Sequence, residues 1–276
     1  MLPWVYGFTW QTGNIIFLSI FYSVVAVILG SFSIAAIRAF RDLKPDRLDE
    51  IRWHFDFESL PEFAKVCRHA FTGEVNQRVC RNGFDCRTCK VHSKITGVPR
   101  ITKSVYSEGE IPFGLKISAN CLYHRGHTWV RVESDGTLTL GLDKLAEGLV
   151  WSQCEADLPA VGTRLHVNGT GWYFRKEASR ARVLSPVDGE VIAVGGRKEG
   201  FYLKVNPGND SDLRHLLKGL EVGPWMTSEV ERLEMALGAS DGAVSLADGG
   251  VLLDNIAANY PEQGWEDILA LMLLES

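Results

Sequence analysis

A run of uncharged, mostly apolar residues near the N-terminus limits what this chain can fold into. Ile15 to Ile37 reads IIFLSIFYSVVAVILGSFSIAAI, and residues 1–37 contain no Lys, Arg, Asp or Glu. At 1.5 Å per residue, a helix of this length extends roughly 34 Å, which exceeds the thickness of a hydrocarbon core. A secretory signal peptide would instead place positive charge before a shorter apolar run. The sequence therefore predicts a transmembrane anchor, with the membrane as the partner of residues 15–37.

Basic residues lie on only one side of this run. The nearest ones all follow it: Arg38, Arg41, Lys44, Arg47 and Arg52. Because basic residues close to a span stay in the cytoplasm, we expect a single-pass protein of the cytoplasmic (inner) membrane, with its N-terminus outside. The domains after the span are then cytoplasmic. Residues 38–60 form a charged juxtamembrane segment, and we expect its mixed charges to form a solvated face.

The rest of the chain has the composition of a globular protein. Of its 276 residues, 46% are apolar, and the formal net charge of −5 comes without a basic stripe, which argues against nucleic acid as a partner. Residues 122–235 alternate apolar and polar positions between frequent Gly and Pro, as half-buried strands do. We expect helical segments at Leu142–Leu149 and Asp210–Lys218, and another at Trp265–Leu274 in the tail, 236–276. The pattern predicts a mainly β fold with short helices.

Four of the six cysteines lie within residues 61–95. Their spacing is Cys67-x12-Cys80-x5-Cys86-x2-Cys89. A CxxC pair presents two thiolates on a turn, and two further cysteines can complete a tetrahedral set around Zn²⁺. We therefore expect these four residues to be metal ligands, with zinc as the first choice. An iron–sulfur cluster, which four cysteines also bind, and unliganded or redox-active thiols are the alternatives.

Several short motifs in the strand-rich part follow one another in a characteristic order. They are Tyr123-His-Arg-Gly-His127-Thr-Trp129-Val130, Leu138-Thr-Leu-Gly141, Leu158-Pro159-Ala-Val-Gly162, Leu184-Ser185-Pro186-Val187-Asp188-Gly189-Glu190-Val191 and Phe201-Tyr202-Leu203-Lys204-Val205. In this order and spacing, they resemble the H-protein of the glycine cleavage system. The resemblance implies a biotinyl/lipoyl hybrid-motif barrel-sandwich over residues 122–235. Turn residues and short apolar runs at 96–121 indicate a linker that leads into its sheet.

The resemblance also implies a position for the lysine to which that family attaches lipoate. In the family, this lysine stands eight residues before the proline of Ser-Pro-x-x-Gly-Glu. Counting back from Pro186 gives Ala178. The family's usual distance from the glycine of its Leu-Pro-x-x-Gly turn is sixteen residues, and counting sixteen forward from Gly162 gives the same residue. Lipoate is therefore not expected. Lys176, two residues earlier, is the candidate that remains for a lipoyl site.

The cysteine segment carries a resemblance of its own. Cys67 to Val75, followed by Cys80-Arg-Asn82-Gly-Phe84-Asp-Cys86-Arg-Thr-Cys89, is similar to the Cys-rich segment that precedes the hybrid barrel in bacterial glycine-cleavage H-like proteins. The cysteines and the barrel are then parts of one architecture.

Three functional hypotheses follow. The first is a non-catalytic, membrane-anchored scaffold or accessory subunit, whose unlipoylated H-protein-like domain docks a protein partner. The second is a working lipoyl carrier modified at Lys176, and the third is a metal- or redox-responsive module built on the four cysteines. We do not expect an enzyme, because His124, His127 and His166 have no nucleophile or carboxylate at a meaningful spacing.

Overall fold

The protein divides into two compact units, Met1–Leu48 and Asp49–Ser276. The structure, a computed structural model, describes residues 11–42, 45–97, 110–111, 114–150, 154–176, 179–208, 212–238, 247–248, 251–252, 256 and 264–275. Ala178 lies outside these residues.

The first unit is dominated by one long helix, α1 (Thr12–Asp42). Its segment Thr12–Phe40 is long and apolar enough to cross a membrane, a test that a signal sequence also passes. The hydroxyls of Ser23, Ser31 and Ser33 donate to the carbonyl oxygens four residues earlier, at 2.6–2.8 Å. These side-chain polar groups are thus satisfied within the helix, as a lipid environment would require.

The second unit is built mainly of antiparallel strands. In chain order they are β1 (Glu110–Ile111), β2 (Leu115–Lys116), β3 (Cys121–Tyr123), β4 (Thr128–Val132), β5 (Leu138–Leu142), β6 (Glu155–Asp157), β7 (Arg164–Leu165), β8 (Thr170–Lys176), β9 (Ser179–Leu184), β10 (Gly189–Gly196), β11 (Phe201–Asn206), β12 (Ala247–Asp248) and β13 (Val251–Leu252). A six-stranded sheet has the order β3-β4-β5-β11-β10-β7, and a three-stranded sheet has the order β6-β8-β9. The remaining strands form two short pairs, β1-β2 and β12-β13.

The two larger sheets share one apolar core. Val130, Leu140 and Leu203 of the six-stranded sheet are buried together with Trp172 and Phe174 of the three-stranded sheet. Because alternate residues of a strand face opposite sides, each strand contributes one face to this core. The predicted barrel-sandwich architecture with a mainly β composition is confirmed.

Two glycines of the quoted motifs have a clear steric role. At Gly141, a Cβ atom would lie 2.3 Å from the Trp129 ring, so only glycine fits beside this indole. Gly162 has a φ of +91°, a left-handed conformation that glycine adopts without the Cβ clash. Its N–H donates to the carbonyl of Val191 at 2.8 Å, which fixes the turn against β10.

Several α-helices accompany the strands in the described residues. After α1, they are α2 (Pro45–Ser59), α3 (Arg68–Phe71), α4 (Lys90–Thr96), α5 (Lys144–Leu149), α6 (Val222–Gly238) and α7 (Trp265–Leu273), with 3₁₀ turns at Glu62–Lys65 and Gly219–Glu221. The Asp143 carboxylate caps α5 by accepting from the N–H of Ala146 at 2.9 Å. The predicted helices at 142–149 and 265–274 are confirmed within a few residues.

The prediction of a helix at Asp210–Lys218 is wrong for the described part, 212–218, which forms turns. The helix of this region is α6, within the stretch expected to alternate like strands. Val222, Trp225 and Met226 are buried, as are Leu233 and Leu237. This spacing follows the period of a helix rather than that of a strand. Pro224 is tolerated because it lies in the first turn, where the N–H that proline lacks would have no intrahelical acceptor.

The expected solvated face of residues 38–60 also needs correction. Trp53, Asp56 and Phe57 of α2 are buried within the second unit. The two aromatic residues form a small apolar cluster with Leu60, Phe84, Leu184 and Leu274. Because many residues of this segment are charged, its sequence did not reveal the apolar helix face that packs onto the strand-rich domain.

Candidate functional site

The four cysteines of residues 61–95 border one cavity of about 270 Å³, which we call the thiol cavity. Each of the four is half-buried and free of a disulfide. The cavity is also bordered by Arg68, Arg125 and other basic side chains, together with His69 and His92. The structure therefore brings together the residues that the sequence proposed as metal ligands.

Backbone hydrogen bonds hold the cysteine-bearing segments side by side. The N–H of Cys67 donates to the carbonyl of Arg78 at 2.7 Å, and the N–H of Cys80 donates to that of Lys65 at 2.6 Å. Cys89 directly precedes α4, and its N–H donates to the carbonyl of Cys86 at 3.3 Å. The four thiols thus come from three separate parts of the chain and border the same cavity.

Burial changes the chemistry of two of these thiols. It raises the pKa of Cys67, and it raises the pKa of Cys86 to about 11, against the lowering effect of the Arg68 guanidinium beside it. These thiols hold their protons at neutral pH, so a metal that binds them must displace protons. Within the described ranges, no three His, Cys, Asp or Glu side chains converge on a point that could hold a metal ion. Zinc at this site stays a prediction.

Two buried histidines beside the thiol cavity form a hydrogen-bonded chain that the sequence did not reveal. His69 Nε2 lies 2.9 Å from His92 Nδ1, and His69 Nδ1 contacts the Glu74 carboxylate. Burial, together with the nearby Arg68, lowers the pKa of His92 to about 4. The His92 imidazole is therefore neutral at physiological pH.

The hairpin β8–β9 contains the position at which the resemblance places a lipoyl lysine. Lys176 is the last residue of β8 and pairs with Ser179, so residues 177–178 connect the two strands. The Lys176 side chain is half-buried. Two exposed arginines flank it: Arg175 pairs with Asp157, and Arg180 lies over the Tyr173 ring at 3.3 Å from its centroid.

Helix α7 is fastened along this hairpin. Ser179 donates to the Glu266 carboxylate, and the N–H of Arg182 donates to the Glu275 carboxylate at 2.8 Å. The side chain of the same Arg182 is buried, and its guanidinium forms an ion pair with Asp56 of α2. Strand β9 is therefore held between the C-terminal helix and the helix that precedes the cysteine segment.

His127 lies in a buried charged network. Its Nδ1 is 2.8 Å from the Asp143 carboxylate, and its Nε2 is 3.4 Å from that of Glu229. Glu229 also pairs with Arg232 and accepts from Trp225 Nε1 at 3.0 Å. The expectation that His127 has no carboxylate nearby is wrong, because the fold supplies both acids from positions distant in the chain.

This network also makes stability depend on pH. Burial alone would lower the pKa of His127, but Asp143 and Glu229 outweigh burial and raise it from 6.5 to about 9. The imidazolium therefore stabilises the fold fully below pH 6.5, loses that contribution between pH 6.5 and 9, and adds nothing above. We expect the urea midpoint to fall across this pH window, and to fall less in a His127→Gln variant. Equal pH dependence of the two proteins would contradict the assignment.

The other two histidines have different surroundings. His124 is buried, and its Nε2 lies 2.9 Å from Asn168 Oδ1. His166 is partly exposed, with its Nδ1 3.8 Å from the Asp188 carboxylate.

Comparison with known proteins agrees with this fold. The family model "Glycine cleavage H-protein" matches residues 121–217. The glycine cleavage system H protein of Thiobacillus denitrificans is 30% identical over 115 residues, which cover 37% of this chain and 89% of that protein. The H protein of Nitrosospira multiformis is 30% identical over 127 residues, or 42% of this chain and 98% of that protein. Through its strand-rich domain, the chain belongs to the glycine cleavage H-protein family.

Proposed function

We propose that this chain is a membrane-anchored accessory subunit, in which an unlipoylated H-protein-like domain docks a protein partner. In this proposal, α1 is the single anchor in the cytoplasmic membrane and the strand-rich domain lies in the cytoplasm. The apolar length of α1 and its internally satisfied serines support the anchor. The role is non-catalytic, because docking requires a folded surface and no reacting group.

The observation that carries the proposal is the way the hairpin β8–β9 is held. A lipoyl carrier needs a lysine at a free hairpin tip, so that the amide-linked arm can move between enzymes. Here the position that aligns with that lysine is Ala178, and the nearest lysine, Lys176, ends a strand with its side chain half-buried. The residues present do not fit a lipoyl group.

The contacts of α7 support the same conclusion. The links from Ser179 to Glu266 and from Arg182 to Glu275 fasten β9 to a helix that lies beyond the family-matched residues. A strand held in this way offers a preformed docking surface, because little conformational entropy is lost when a partner binds.

The charge of the hairpin indicates the chemistry of the partner. The Arg175 and Arg180 side chains are 56% and 48% exposed, and both lie near one carboxylate, that of Asp157. Each guanidinium has five N–H donors, so both exposed groups can also donate to the carboxylates of a partner. We therefore expect the partner to present an acidic surface here.

The test is gentle detergent extraction of the full chain from its native membrane, followed by identification of the proteins that remain bound. Reversing both charges, Arg175→Glu with Arg180→Glu, is expected to reduce the bound partner by about tenfold or more. The matched control, Arg197→Glu with Lys198→Glu, changes two basic residues of the hairpin β10–β11 and should leave binding unchanged. Extraction of a lone monomer, or equal binding by all three proteins, would contradict the proposal.

A further inference from the structure

The size of the thiol cavity distinguishes between the groups that four cysteines can bind. A tetrahedral zinc site draws all four sulfurs to about 2.3 Å from one ion, so no space remains between them. Here the four thiols border a cavity of about 270 Å³. The cavity is partly open to solvent and has fourteen further lining residues, so the four thiols border a shared space and do not enclose one ion. A shared space suits a group of several metal atoms, in which each cysteine binds a different atom.

The charge around the thiol cavity favours an anionic group. Arg125 is only 4% exposed, and its guanidinium donates to the carbonyls of Ala64 and Val66 at 3.3 and 3.2 Å. The same group lies over the rings of Phe71 and Phe84, at 5.0 and 4.6 Å from their centroids. These contacts are electrically neutral, and the charges that favour the guanidinium come from Glu229 and from the thiols of Cys80 and Cys67. A buried cation is costly without counter-charge, and four thiolates around a cluster would add to that of Glu229.

A second buried guanidinium, that of Arg68, reinforces this arrangement. Its side chain is 5% exposed, and it pairs with Glu221 and donates to the carbonyl of Arg214. Arg68 directly follows Cys67, so the backbone that positions this thiol also positions the guanidinium. The cavity lining therefore contains thiols from three parts of the chain and two buried guanidinium groups.

We propose that the thiol cavity holds an iron–sulfur cluster of the [4Fe–4S] type, bound by Cys67, Cys80, Cys86 and Cys89. Four cysteine thiolates are the usual protein ligands of such a cluster. This inference is independent of the docking role, because the cavity and the hairpin β8–β9 use different residues.

The experiment uses the full chain, purified in detergent without oxygen and reconstituted with ferric iron, sulfide and excess dithiothreitol, which supplies the electrons that reduce half of the iron and is itself oxidised to a disulfide. Iron, acid-labile sulfide and zinc are measured on the same sample, together with the visible absorption and the electron paramagnetic resonance of the dithionite-reduced protein. We expect about four iron and four sulfide per chain. A chain that takes up zinc but no iron, or one that binds neither after reconstitution, overturns the proposal.

Two variants separate the four ligands from the other cysteines. Cys86→Ser with Cys89→Ser is expected to lower the iron content by at least about tenfold, because each thiolate holds a different iron. The matched control, Cys121→Ser with Cys154→Ser, changes the two half-buried cysteines that pack against the core, and should keep both the iron and the spectrum. Iron retained by the first variant, or lost only by the second, overturns the assignment of ligands.

Discussion

Replacing Glu229 by leucine is expected to lower the free energy of unfolding by about 3–5 kcal/mol, the usual cost of removing one partner of a buried ion pair. Glu229 is 3% exposed and is the common acceptor for Arg232 and Trp225, with His127 Nε2 also within 3.4 Å. The substitution keeps the volume of the side chain but leaves the charged partners without this acid. Urea unfolding of the detergent-solubilised chain, followed by tryptophan fluorescence, measures the change.

The matched control lies on the same helix. Glu231 is exposed, so Glu231→Leu should change the free energy of unfolding by no more than about 0.5 kcal/mol. Equal destabilisation by the two substitutions would show that the loss comes from the helix and not from the buried network.

The second large effect is expected at Asp56, whose carboxylate pairs with the fully buried guanidinium of Arg182. Among the residues that the structure describes, Asp56→Ala leaves that guanidinium with the more distant Glu275 carboxylate, 3.9 Å from its Nε. We expect the free energy of unfolding to fall by about 3–5 kcal/mol. Glu58→Ala, at an exposed position of the same helix, should cost no more than about 0.5 kcal/mol.

A double substitution tests whether this pair is the cause. Removing both charges, as Asp56→Ala with Arg182→Met, should cost less than the sum of the two single changes, because no unpaired charge then remains buried. Additive losses would mean that Asp56 and Arg182 stabilise the domain separately.

The barrel could be predicted from the sequence because its determinants are local. The alternation of strands such as Trp129–Val132 and the turn glycine Gly162 depend on neighbouring residues. Helices α5 and α7 could also be predicted from the sequence, because each has a short periodic pattern of apolar residues with an acidic residue near its start.

Tertiary pairing explains what could not be predicted. The charges of Asp56 and Arg182 suggest exposed positions when each is considered alone, and only the fold joins them in a buried ion pair. His127 and Glu229 are likewise about a hundred residues apart. The spacing of the four cysteines predicted that they would act together, but not the volume of the cavity that they border, because the cavity depends on how three segments pack.

The family relationship establishes the fold of residues 121–217, whereas the chemistry depends on one position in the hairpin β8–β9. The proposed loss of the lipoyl lysine separates a docking subunit from a carrier. A lipoyl group is attached covalently, so its presence or absence can be measured on the protein isolated from its own membrane.

The most direct test is therefore the intact mass of the full chain isolated from its native membrane, combined with fragmentation of the peptide that contains residues 176–178. We expect a hairpin without any lipoyl group, with Lys176 and Ala178 unmodified. A lipoyl group in amide linkage on Lys176 would rule out the docking role and would make this chain a working carrier.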